Sequence, residues 1–164
     1  MSMLTEYEQS IVNNVARYGW QCTSVFDPDG GLPSFSYSIG LWETLCAPEL
    51  IVFGLDTRLM QEMLWRMYDQ LKEGAQLADH ARWSGLIEGF DCISRPVHQS
   101  QVKTDYFNSA LWYRKQRTGD SAISAFQIFW PGAVDGLFPW EKGAADIVRD
   151  LQPTLYLPDE PGNA

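Results

Sequence analysis

Basic residues are scarce in this sequence relative to acidic ones. Twelve Lys and Arg stand against twenty-one Asp and Glu, which leaves a net charge of −9. The only lysines are Lys72, Lys103, Lys115 and Lys142. Nucleic acids and anionic membranes are gripped mainly by Lys and Arg that displace counterions, so this balance argues against either as an unaided partner. It suits solubility or a basic protein partner instead.

Histidine is scarcer still, with only His80 and His98. Zinc needs three or four closely fixed ligands, usually including one short-spaced pair, and no such pair exists. No metal and no cofactor are expected. Dinucleotide, phosphate-loop, nucleophile-elbow and Cys-x-x-Cys signatures are all missing. The three cysteines, Cys22, Cys46 and Cys92, are an odd number and fit a reducing compartment. No apolar run approaches the roughly 20 residues that cross a bilayer. The first residues show no basic segment followed by an apolar one. A cytoplasmic location is therefore the expectation.

What is present is aromatic and apolar. The chain has 164 residues, 45% of them apolar and 13% aromatic, enough to bury a core. Residues 1–157 read as a single domain, and 158–164 as an acidic, Pro-bearing tail expected to fray.

Thr5 and Glu8 have capping-box spacing before a helix over 5–18 that Gly19 ends. Residues 20–26 predict a strand and Asp27-Pro28-Asp29-Gly30-Gly31 a turn. Residues 34–41 alternate Phe35, Tyr37 and Ile39 against Ser34, Ser36 and Ser38, which predicts one buried face and one lined with hydroxyls. The loop 42–49 leads to a continuous apolar strand, Leu50 to Leu55. Asp56 caps a helix over 57–73, and 86–94 reads as one strand. A helix over 105–117, a strand over 121–130, an aromatic loop over 131–141 and a short helix near 143–150 follow. The fold class is α+β: a mainly antiparallel or mixed sheet of about five strands with three helices packed on it.

Short aromatic–Gly–Pro blocks punctuate the chain, among them Tyr18-Gly19-Trp20, Trp130-Pro131 and Phe138-Pro139-Trp140. They either plug the ends of the sheet or line a pocket. A ligand pocket would draw on Ser36, Tyr37, Gln127, Trp130 and Trp140. Catalysis would need a nucleophile and a base, for which Cys46, His98 and Glu43 are the candidates. Projected at about 100° per residue, Trp65 and Trp112 fall outside the apolar stripes of their helices, as partner-binding residues would.

The blocks also carry a resemblance. Phe35-Ser36-Tyr37-Ser38-Ile39-Gly40-Leu41, Pro48-Glu49-Leu50-Ile51-Val52-Phe53-Gly54-Leu55, Gln127-Ile128-Phe129-Trp130-Pro131 and Phe138-Pro139-Trp140-Glu141 resemble the bacterial domain-of-unknown-function family numbered 4262. The resemblance covers most of the chain and implies a small bacterial cytosolic protein, with no reaction to transfer. Relatives often carry His where this chain has Glu43 and Cys46, and Trp-Pro-Asp where it has Trp130-Pro131-Gly132. The reading that follows is a non-catalytic interaction protein whose acidic, Trp-bearing helix faces meet a protein partner. The alternative is a small enzyme or ligand binder using the aromatic blocks, with Cys46 as nucleophile.

Overall fold

The computed structural model describes residues 3–159. Twelve elements follow one another, six of them strands: α1 (Glu6–Tyr18), β1 (Gln21–Val25), β2 (Phe35–Ile39), α2 (Leu41–Leu45), β3 (Glu49–Phe53), α3 (Thr57–Lys72), β4 (Ala81–Ile87), β5 (Phe90–Pro96), a 3₁₀ turn (Gln99–Gln101), α4 (Thr104–Thr118), β6 (Ala125–Phe129) and α5 (Asp146–Asp150). The strands form one open sheet in the order β1-β2-β3-β6-β5-β4. Every neighbouring pair is antiparallel except β3 and β6. The α+β class and mixed sheet stand, with one strand more than expected; α5 is the short helix expected near 143–150, and α2 is an addition.

Helices cover both faces. Met60, Met63, Leu64 and Met67 of α3 pack against Leu50, Val52 and Ile128 on one side. Ile11 and Val15 of α1 and Phe107, Ala110 and Tyr113 of α4 pack against Tyr37, Ile39, Ile51 and Phe53 on the other. This explains why β2 has no solvated hydroxyl face. Ser36 and Ser38 are as buried as their apolar neighbours, because β2 lies between β1 and β3 and α3 lies against it. Their small side chains leave room for that approach.

Three local expectations also change. The segment read as one strand over 86–94 is a hairpin, β4 and β5, turning at Glu88-Gly89 with Gly89 at φ +85°. That left-handed geometry is easy for glycine and reverses the chain within two residues. The loop 42–49 contains helix α2, ended by Cys46 at φ +54°. Helix α4 is interrupted at Phe107 (φ −130°, ψ 28°), which breaks the even 100° spacing used to project Trp112 outward. Trp112 is half-buried and packs against the core beneath α1 and α4. In the tail read as frayed, residues 160–164 lie outside the described residues. Asp159 is tied down, its N–H bonded to Ser100 Oγ and its carboxylate to Lys103 Nζ at 2.8 Å.

Among the described residues, no helix is long and apolar enough to cross a membrane.

Candidate functional site

The residues named as a pocket do not meet in one cavity. Ser36 Oγ pairs with Ser24 Oγ at 2.7 Å on the α3 side of the sheet. Tyr37 lies on the opposite side, where its hydroxyl accepts the Ser109 N–H at 2.9 Å. Gln127 is fully buried and laces the C-terminal segment to β6. Its Nε2 donates to the Pro153 carbonyl at 2.7 Å and its Oε1 accepts from Leu155 N–H at 3.2 Å. Trp130 donates through Nε1 to the Phe53 carbonyl at 2.7 Å. Trp140 stacks on Phe138 at 5.3 Å and flanks Arg95, whose guanidinium sits 4.9 Å from Trp140 and 3.8 Å from Tyr156. The contacts of Ser36, Tyr37, Gln127 and Trp130 join separate segments of the fold, whereas Trp140 and Phe138 stack within one loop.

Nor are the catalytic candidates assembled. Cys46 is exposed at the end of α2 and borders a groove of about 350 Å³ with Leu45, Pro48, Leu71 and Leu77. His98 caps the 3₁₀ turn, with Nδ1 accepting the Ser100 N–H. Glu43 is engaged through both oxygens, by Tyr113 Oη at 2.5 Å and Arg117 Nε at 2.8 Å. Burial pushes its carboxyl upward, but the bonds from Tyr113 and Arg117 outweigh burial and hold it below the ordinary value. No hydrogen bond links Cys46, His98 and Glu43 among the described residues. Cys22 and Cys92 are pushed up to about 12 by burial, which suppresses the thiolate on which reactivity depends.

An unexpected feature is Glu49, which sequence composition assigns to the surface and the fold buries completely. One oxygen accepts from Ser38 Oγ at 2.7 Å and Leu41 N–H at 3.2 Å, the other from Gly40 N–H at 2.6 Å. The carboxylate thereby holds the first amides of α2, where a negative charge is favoured. Burial nevertheless dominates, and the carboxyl is pushed from an ordinary 4.5 up to about 7, with the three donors opposing. The clue in the sequence was a charge directly at the head of an all-apolar run.

Exposed apolar side chains gather elsewhere, around the edge strand β1. On the α1/α4 side lies a groove of about 440 Å³ bordered by Tyr7, Val25, Phe26, Tyr37, Tyr106 and Ser109. Phe26 is 62% and nearby Leu32, in the β1–β2 loop, 72% exposed. On the α3 side a smaller hollow of about 260 Å³ is bordered by Tyr18, Trp20, Cys22, Gln61 and Trp65. Trp65 is 43% exposed and meets Trp20 edge-to-face at 4.9 Å. The Trp20 indole N–H is buried without an acceptor among the described residues. Of the residues named from sequence, Tyr37 and Trp65 flank this edge. Tyr7, Trp20 and Phe26 were missed, because nothing local in a sequence marks which strand ends a sheet.

These features define an α+β domain on an open mixed sheet with one edge framed by exposed aromatics. A family model described as a domain of unknown function (DUF4262) matches residues 14–145, and the chain belongs to that family. Comparison with curated proteins and with solved structures finds no significant match to either.

Proposed function

We propose that the protein is a non-catalytic interaction module of the bacterial cytosol that grips a protein partner along the β1 edge. The observation that carries this reading is the concentration of large exposed side chains on both flanks of one strand: Tyr7, Val25 and Phe26 on one side, Tyr18 and Trp65 on the other. Exposed aromatics that rim a groove are typical of binding surfaces and costly elsewhere. The catalytic candidates lack a bonded base, and the acidic chain favours a basic partner. Trp65, proposed from sequence as partner-binding, keeps that role. Trp112, half-buried, contributes at most its exposed rim.

Partner recovery from a cytosolic extract tests this reading. Phe26→Asp and Trp65→Asp each abolish recovery of a partner that the unaltered chain retains, whereas Val134→Asp, at a still more exposed position in the loop after β6, does not. Equal behaviour of all three variants would sink the proposal.

A second reading is favoured by the groove beside Cys46, which offers an exposed thiol between α2 and the end of α3. A small ligand held there raises the melting temperature of the unaltered chain, and a Cys46→Ser variant distinguishes covalent from non-covalent capture.

A further inference from the structure

The two edges of the sheet are treated differently. Strand β4 is blunted: its register with β5 shifts between Trp83 and Ile87. The Ser84 carbonyl accepts from Gln70 Nε2 at 2.9 Å and the Gly85 carbonyl from Arg66 Nη1 at 3.3 Å. Bulges and covering side chains are the usual protection of an edge against further pairing. Strand β1 has neither. All five residues pair with β2 in uninterrupted register, from Gln21 opposite Ile39 to Val25 opposite Phe35. The strand contains no Pro and no Lys. Among the described residues, no backbone group of 21–25 bonds to anything but β2.

We infer that β1 is a strand-addition site: an extended, basic peptide segment of the partner pairs with its free edge and continues the sheet. This deepens the function proposed above and rests on it. Backbone N–H and C=O groups covered by a partner must be matched, and an extended peptide is the partner that matches a row of them at strand spacing. Side chains of such a segment alternate between the two faces. One set enters the groove beside Val25, Phe26 and Tyr37, and the other enters the hollow bordered by Tyr18, Gln61 and Trp65. The charges around the edge select the sign. Asp105 borders the larger groove, and Asp27 and Asp29 stand in the adjoining turn. Of the cations near it, Lys103 pairs with Asp159 and Arg17 lies over Tyr18, which leaves the carboxylates in the majority.

The test uses the full chain and a short synthetic peptide alternating lysine with valine and phenylalanine. The expected result is binding with slowed amide exchange at Gln21–Val25. N-methylation of alternate nitrogens on one edge of the peptide should weaken it about tenfold, the equivalent of one or two net hydrogen bonds. Methylation of the other edge should have little effect. Equal effects of both methylation patterns, or protection away from β1, overturn strand addition while leaving the interaction reading intact. Equal affinity for a glutamate-containing counterpart overturns the basic partner. Absence of binding to either peptide overturns the inference, and partner recovery judges the function separately. If protection at β1 instead rises with protein concentration alone, the occupant is a second copy and the inference falls.

Discussion

Replacing Glu49 by glutamine removes the charge of the one carboxylate that the fold buries completely among the described residues while keeping its shape. Two effects follow. The first is independent of pH: an amide NH₂ now stands near Gly40 N–H or Ser38 Oγ, and one mismatched donor costs about 1–3 kcal/mol. The second depends on pH. In the folded chain the carboxyl holds its proton up to about 7, against an ordinary 4.5. Between these values the folded state binds more protons than the unfolded state. The natural chain therefore loses stability as pH rises through that window, and above it the loss is complete at about 3 kcal/mol. Glutamine does not titrate. The stability gap between the two chains should move by about 2–3 kcal/mol in the variant's favour from pH 5 to pH 8. Other titrating groups, including Glu43, whose lowered carboxyl gives the opposite slope, are common to both chains and cancel. Urea unfolding at several pH values measures the gap, provided the slope with denaturant stays equal. A constant gap refutes the reasoning. A gap moving the other way shows that the three donors outweigh burial and keep the carboxylate ionised.

Further outcomes follow from the same geometry. In the folded chain a thiol reagent at neutral pH should label Cys46 and spare Cys22 and Cys92, with all three reacting in urea. Gly40→Ala should cost about 1–3 kcal/mol in urea unfolding, because Gly40 sits at φ +99° and a methyl group there would lie 2.9 Å from Val15 Cγ1. Arg95→Lys keeps the charge but loses the planar stack between Trp140 and Tyr156. It should destabilise by about 1 kcal/mol, read by tryptophan fluorescence during unfolding.

Helix boundaries were legible because their signals are local. The Thr5–Glu8 capping box and Gly19, Asp56 and Gly119 act within one turn of the residues they stop or start. The apolar stripe of α3 needed no knowledge of its neighbours, and the exposure of Trp65 followed from that stripe. The hairpin at Glu88-Gly89 was obscured because the segments on either side, Leu86-Ile87 and Phe90 to Ile93, read as one continuous strand. The short helix α2 was obscured because its N-terminal amides are satisfied by Glu49, eight or nine residues away, and not by a neighbouring side chain.

The site was less legible still. Ser36 and Gln127 look like polar groups available to a ligand, yet their hydrogen bonds go to Ser24 and to Pro153 and Leu155. Pattern alone cannot distinguish a serine facing water from one facing a helix.

By itself, the sequence determined the family, the α+β class, the caps and most helix boundaries, since each depends on residue type within a few positions. The tertiary structure alone decided that Glu49 is buried, that Cys46, His98 and Glu43 are not joined, and that β1 ends the sheet. Those facts depend on strand order and on helices covering both faces. Such pairings bring together groups far apart in the chain, and no local spacing encodes them.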